Sequence, residues 1–239
     1  NMCTVSFIPS GDRYFITSNR DEHISRPVAH RPQFETRGGS RVLFPKDPKA
    51  GGTWFALNEN GMSVVLLNGA FTRHISNGSY AKSRGLVVLD VAYSNEPKDL
   101  LWKIDLVGIE PFTLVVFDNE LLEFRWDGSQ KYFRPLDPTK NHIWSSATLY
   151  KDEVIAQRAQ LFDRFMCNNP KAAPDDVVDF HSNNYDDFEN GFIINRESGL
   201  KTFSVTQAVL GDEALLMRHF DLMNNASYEV PFNANQLTY

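Results

Sequence analysis

Residues 2–22 read MCTVSFIPSGDRYFITSNRDE, and the fold turns on how this stretch doubles back on itself. Cys3 to Pro9 reads as a strand, Gly11-Asp12 as a two-residue turn, and Tyr14 to Asn19 as the returning strand. Pairing Ser10 with Arg13 across that turn carries the register down to Cys3 opposite Arg20. Directly opposed residues of an antiparallel pair share a face, with Cβ atoms about 4.5–5.5 Å apart. A guanidinium that stays protonated at any working pH would favour the thiolate of a cysteine whose free pKa is roughly 8.5. The same position is equally consistent with a small apolar residue in an ordinary strand.

The residue before the cysteine sharpens the chemical reading. Met2 is read as an initiator and Asn1 as an added residue in front of it. Removal of Met2 would give Cys3 a free α-amine, whose reference pKa of about 7.7–8.0 suits a general base near neutrality. Nucleophile and base would then be one residue, so their proximity costs little further entropy.

Composition narrows the classes. The 239 residues carry no Pro/Ser/Gly-rich linker and read as one domain, 1–239. With 42% hydrophobic and 13% aromatic residues the chain can bury a large core without covalent staples. A formal net charge of −6 argues against a nucleic-acid partner. No run of about eighteen apolar residues is present for stable membrane insertion, and the expected location is cytoplasmic. The two cysteines, Cys3 and Cys167, show no disulfide spacing, and the six histidines show no ligand pattern, so neither a metal nor another cofactor is expected.

Further along, Pro27, Pro32, Pro45 and Pro48 predict an irregular segment over 24–52, ordered as a rim over a cleft. Thr53 to Asn58, Asn60-Gly61 and Met62 to Asn68 predict a second hairpin; pairing Glu59 with Met62 sets Asn68 opposite Thr53. A carboxamide among Phe55, Leu57, Val64 and Leu66 needs partners, unless it only opens the Gly69 turn. Helices are expected over 79–94, 96–103 and 151–167, with another starting at Pro174. Residues 111–117, 120–126 and 131–134 predict a β-meander, and strand character returns at 191–195, 200–207, 215–220 and 228–230. Strands and helices in blocks, without βαβ alternation, point to an α+β fold of two antiparallel sheets covered by helices.

One rival motif is present. Ser79-Tyr80-Ala81-Lys82 fits S-x-x-K and Lys201-Thr202 the start of K-T-G, but Phe203 replaces the glycine and S-D-N is missing. Ser79 reads better as a helix N-cap.

Taken together, Met2-Cys3-Thr4-Val5, Asn19-Arg20-Asp21-Glu22, Ala50-Gly51-Gly52-Thr53-Trp54, Asn58-Glu59-Asn60-Gly61 and Leu67-Asn68 resemble the NRDE family, which includes the eukaryotic transport-and-Golgi-organisation proteins. The resemblance implies a four-layer αββα N-terminal-nucleophile hydrolase fold, similar to the cysteine branch of penicillin V acylases and bile-salt hydrolases. It implies that Cys3 attacks an acyl carbon, Arg20 supports the thiolate, Asp21 holds the α-amine and Asn68 contributes to the oxyanion hole. Two positions depart from the pattern. Ser146 stands where relatives commonly carry Asn, and Lys201 is the nearest basic residue to the late Arg of the acylases.

The expected function is hydrolysis of a C–N amide bond in a small acyl-amide substrate after removal of Met2. Trp54 and the proline-rich loop would line a pocket for an acyl or aromatic group, with Ser146 and Lys201 further substrate-binding candidates. The alternative is a non-catalytic ligand-binding or trafficking protein on the same fold, holding haem or a lipid-like ligand. The oligomeric state is left open.

Overall fold

The first hairpin forms as its turn chemistry dictates. In the computed structural model, which describes residues 2–73, 82–211 and 215–232, strands β1 (Met2–Ser10) and β2 (Arg13–His23) pair antiparallel. Ser10 faces Arg13, and the expected register holds as far as Thr4 opposite Asn19. There it breaks. A bulge between Met2 and Thr4 sets Met2 opposite Arg20 and leaves Cys3 as the extra residue. A bulge of this kind puts two residues against one, so Arg20 faces the Met2-Cys3 pair instead of Cys3 alone.

The proline-rich stretch is more regular than its composition predicts. β3 (His30–Arg37) and β4 (Ser40–Lys46) make a hairpin across Gly38 and Gly39, both at positive φ. Glycine takes the positive φ values that a tight two-residue turn requires without steric cost. Pro32 is tolerated because β3 is an outer strand and its register shifts between His30 and Gln33.

β5 (Phe55–Asn58) and β6 (Ser63–Asn68) are the second hairpin, one residue out of the expected register. Phe55 faces Val65 and Leu57 faces Ser63. The reason is local. The Asn58 backbone N–H donates to Met62 O at 2.9 Å, while Asn58 Oδ1 accepts from the backbone of Asn60 and Met62. The loop is therefore three residues long, with Gly61 at φ +83°.

α1 (Arg84–Ala92) starts later than predicted, capped by Ser83, whose side chain accepts from Gly85 N. The expected start at Ser79 lies outside the described residues. α2 (Pro97–Lys103) follows, and then the predicted meander of β7 (Phe112–Asp118), β8 (Glu120–Trp126) and β9 (Lys131–Leu136). Next come β10 (His142–Ser145), α3 (Asp152–Asn168) and α4 (Pro174–His181). β11 (Leu200–Leu210), β12 (Leu215–Asp221) and β13 (Ala226–Pro231) complete the described elements. Residues 191–195 are not a strand. Their donors go elsewhere, Gly191 N to Asp187 O and Ile194 N to Thr202 Oγ1, leaving one bridge between Asn195 and Lys201.

These strands build two antiparallel sheets, ordered β10-β1-β2-β11-β12-β13 and β3-β4-β5-β6-β7-β8-β9. The larger apolar core joins them, with Val5, Phe7, Ile16 and Met217 of the first against Val64, Leu66, Leu114 and Phe117 of the second. α1 packs on β5 and β6, whereas α3 packs on β10 and α4 on β2 and β11. A second core under α3 and α4 includes Ile8, Phe15, Phe162, Phe180 and Phe192. Helices thus cover both outer faces of a two-sheet sandwich, the four-layer α+β arrangement. β9, like β3, is an outermost strand and contains a proline, Pro135.

Two imidazoles are sealed into this frame. His181 is fully buried between Ser6 Oγ at 2.7 Å and Asn19 Oδ1, and burial, then the charge of Arg158, holds its pKa down to about 3. His219, 2.8 Å from Thr206 Oγ1, is held down to about 4, first by burial and also by Arg20, against the opposing pull of Asp221. Above pH 6.5 the unfolded chain's imidazoles are neutral as well. Below it the unfolded chain binds protons that the folded chain refuses, so stability falls as pH drops from about 6.5 toward the folded values. Urea unfolding at pH 5.0 should give a free energy lower than at pH 7.5 by roughly 2 kcal/mol for each buried imidazole. H181Q and H219Q should each flatten that dependence.

Candidate functional site

β2 divides the chemistry between its two faces. Arg20 points to the intersheet side, 1% exposed, with its guanidinium carbon 4.6 Å from the Trp54 ring centroid and 5.7 Å from that of Phe203. Both neighbouring strands bulge beside it, β1 between Met2 and Thr4 and β11 between Thr202 and Ser204. Arg20 Nη2 donates to Asp47 Oδ2 at 3.2 Å and lies 3.7 Å from Glu22 Oε2. Among the described residues its Nε and Nη1 have no acceptor, and Trp54 Nε1 and Ser204 Oγ have no partner; all four atoms are buried. Burial lowers the Arg20 pKa, and the charges of Glu22 and Asp47 oppose that shift.

Asp47 organises the neighbouring loop. It accepts from the backbone of Lys49 at 2.9 Å and Ala50 at 3.1 Å, and from Arg26 Nη2 at 2.7 Å as well as from Arg20. Burial pushes its carboxyl pKa up, but the two backbone donors and the two guanidiniums more than offset this and leave it lowered. Nothing in the sequence reading singled out Asp47. The one signal was an Asp opening a Pro- and Gly-rich stretch, the usual place for a side chain that caps its own turn.

Beside this cluster lies a cavity of ≈ 300 Å³, lined in part by Glu22, Arg26, Asp47, Trp54, Asn68 and the start of α1. Two glycines let α1 come so close. A Cβ on Gly52 would sit 2.4 Å from Gly85 C, and one on Gly85 would sit 2.9 Å from Thr53 O. Thr53 N donates to Gly85 O across this contact at 3.2 Å.

Asn68 ends β6, is 4% exposed and pairs with Phe112. It does not face Thr53, because of the one-residue shift of the hairpin. Ser146 is close by, but its hydroxyl donates to Asn68 O at 2.9 Å and lies 2.9 Å from Thr148 Oγ1. Glu123 braces both residues. It accepts from Trp144 Nε1 at 2.7 Å and pairs with Arg125, whose Nη1 donates to Ala70 O behind Asn68.

Asp21 occupies the opposite face of β2. It accepts from Thr202 Oγ1 at 2.6 Å and Tyr150 Oη at 3.4 Å. Arg158 backs this side, stacked 4.2 Å from the Tyr150 ring centroid and donating to Thr4 Oγ1 and to Ser145 Oγ at 3.1 Å. Lys201 pairs with Glu22 in the β2–β11 ladder, and neither it nor Ser146 lines the cavity. Of the predicted site residues, the fold gathers Arg20, Trp54 and Asn68 on the cavity side. The side chain of Cys3 lies outside the described residues.

Ser6, His181 and Asn19 have the atoms of a nucleophile, a base and an orienting amide. All three are 0% exposed, and Asn19 Nδ2 is spent on the carbonyls of His181 and Phe192, so they hold α4 to its sheet. Among the described residues no group of His, Cys, Asp or Glu is arranged to hold a metal ion. No helix among them is long and apolar enough to cross a membrane.

Solved structures share this architecture. A mutant conjugated bile acid hydrolase from Clostridium perfringens superposes with a TM-score of 0.63 at 12% identity, covering 99% of this chain and 94% of that one. An N-acylethanolamine-hydrolyzing acid amidase orthologue from Caenorhabditis elegans gives 0.63 at 13% identity, covering 96% and 100%. Penicillin V acylase from Agrobacterium tumefaciens gives 0.59 at 9% identity, covering 96% and 86%. The fold is that of the N-terminal-nucleophile hydrolases. No curated protein sequence matches the chain. A sequence profile described as "Transport and Golgi organisation 2" matches residues 2–201.

Two substitutions probe the cavity's construction. Asp47→Asn keeps the shape but leaves Arg20 with less compensating charge, and breaking a buried pair costs about 3 kcal/mol; a lowered urea midpoint at unchanged slope checks this. Gly52→Ala forces the α1 start away from the hairpin, with an expected loss of about 1–3 kcal/mol and faster amide exchange at residues 84–86.

Proposed function

Because the chain belongs to the Transport and Golgi organisation 2 family, on an N-terminal-nucleophile hydrolase fold, we propose that it is an amidohydrolase with Cys3 as its nucleophile. The observation that carries this reading is Arg20, a permanently charged group buried with two N–H donors unmet among the described residues, beside the bulge that contains Cys3. A buried cation favours a neighbouring thiolate over a thiol. The bulge supports the same reading, since strand irregularities of this kind re-aim residues at active sites.

In the proposed reaction Met2 is first removed. The free α-amine of Cys3 takes the thiol proton, and Sγ attacks the carbonyl carbon of an acyl amide. Asn68 donates to the oxyanion, a contribution typically worth about 3–4 kcal/mol. The C–N bond breaks as the amine leaves with the proton, and water then splits the thioester to give a carboxylic acid. Asp21 holds the α-ammonium from the other face of β2, with Thr202 and Tyr150 fixing its carboxylate. Ser146 acts on Asn68, by holding its main-chain carbonyl, and Trp54 forms a wall of the substrate cavity. Lys201, opposite Glu22, adds positive charge outside the cavity.

This chemistry needs a reduced thiol, which fits the cytoplasm. Cys3→Ala and Cys3→Ser should each abolish turnover of a panel of short acyl p-nitroanilides. The intact mass of active protein should lack Met2. Turnover that survives Cys3→Ala, or full activity with Met2 retained, would rule the nucleophile out.

A further inference from the structure

A second buried guanidinium lies behind the proposed nucleophile, and the role inferred for it rests on the hydrolase reading. Arg158 of α3 is 2% exposed and lies against the Tyr150 and Phe192 rings, 4.2 and 4.4 Å from their centroids. Among the described residues it bonds only neutral groups. Nε donates to Ser145 Oγ at 3.1 Å, Nη1 to the carbonyls of Asn190 and Gly191 at 2.8 Å each, and Nη2 to Thr4 Oγ1. No described carboxylate lies within ion-pair distance of it, whereas Arg20 has two, Asp47 at 3.2 Å and Glu22 at 3.7 Å. Hydrogen bonds solvate a guanidinium without cancelling its charge, so Arg158 leaves a net positive potential around it. His181 registers that potential, which adds to burial in holding the imidazole pKa down.

The potential falls on one place in the proposed reaction. Thr4, which holds Nη2, follows Cys3 directly, at a Cα spacing of about 3.8 Å, and Ser145, which holds Nε, is the partner of Thr4 in the β1–β10 ladder. The α-amine of Cys3 must be neutral to take the thiol proton. Asp21, 0% exposed and proposed to hold that amine, favours the ammonium instead. An amine beside a buried carboxylate, with no opposing charge, stays protonated and fails as a base. The other groups around the start of β1 largely cancel. Arg20 is met by Asp47 and Glu22, Lys201 is the ladder partner of Glu22, and Arg196, 5.4 Å from the Tyr150 ring centroid, pairs with Glu189 at 3.7 Å. Tyr150 donates to Asp21 at 3.4 Å, and His181 is neutral. We infer that Arg158 sets the proton affinity of the Cys3 α-amine, opposing Asp21 so that the amine is the neutral base near pH 7. It acts through space and touches no reacting atom. Its bonds also pin α3 to β1 and β10, but a clamp needs the hydrogen bonds and tuning needs the charge, so substitution separates the two.

Titrating the amine of protein that begins at Cys3 reads this without turnover. Cysteine is labelled with 13C, Cys167→Ser leaves Cys3 as the one labelled residue, and Sγ is capped as a methyl disulfide so that only the amine moves the Cα resonance with pH. Arg158→Gln removes the charge and should raise the midpoint by about one to two units, as expected for a unit charge about 7 Å away at an effective dielectric constant of about 20. Arg158→Lys disturbs the same hydrogen bonds but keeps a charge, and should stay within about half a unit of wild type. If Arg158→Gln folds poorly, Arg158→Met carries the same test, since an apolar side chain often replaces a buried charge without loss of stability. An unmoved midpoint in the neutral variant, or equal shifts in the neutral and Lys variants, overturns the inference. With active enzyme the acid limb of kcat/KM on a short acyl p-nitroanilide should move up in pH with the midpoint. Failure of wild type to turn over any amide, while the midpoint still responds to the charge at position 158, defeats the hydrolase reading alone.

Discussion

The arrangement depends on one charge kept out of water. Arg20 sits between two aromatic rings with a single close carboxylate, and a guanidinium cannot shed its proton to escape burial. The surroundings must therefore supply compensation. Asp47 does so at close range and Glu22 at longer range, and the loop carrying Asp47 is folded around that carboxylate by the Lys49 and Ala50 amides. The ring stacks and the ion pair leave two guanidinium N–H groups, at Nε and Nη1, without an acceptor among the described residues.

Strand alternation gives β2 its second role. Successive residues point to opposite faces, so Asn19 and Asp21 serve the helix side while Arg20 serves the intersheet side. On the helix side Tyr150 and Thr202 donate to the Asp21 carboxylate and His181 bonds Asn19, whereas the intersheet side gathers the Arg20 ion pairs. The bulges in β1 and β11 fall where these environments meet, beside Arg20. Glu123, half a sheet away, reaches the same place indirectly, because its partners Trp144 and Arg125 hold the chain on either side of Asn68 and Ser146.

Much of this was legible in the sequence wherever local rules decide the outcome. The Ser10–Arg13 turn set a register that holds for the whole first hairpin up to the bulge, and the meander and α3 fall almost where their periodicity places them. The failures have physical sources. The bulge at Cys3 depends on the strands that flank it, which no local pattern records. Prolines hid the β3–β4 hairpin, Pro32 being tolerated in the outer strand β3 and Pro45 falling near the end of β4. The Asn58 side chain lengthened a turn that Asn60-Gly61 alone makes two residues long. At the site, the NRDE stretch and Trp54 stood out in sequence, whereas Asp47 and the start of α1 became visible only once the fold had brought them to the cavity.

The prolines in β3 and β9 have an effect beyond their own strands. Each end of the seven-stranded sheet carries a residue that lacks a backbone donor. A ladder growing outward from either side meets a missing rung, so lateral addition of a foreign strand is penalised at both margins. A sheet this wide and this apolar would otherwise be a template for fibrillar stacking, and the same imino acids that obscured the hairpin from sequence guard it against aggregation.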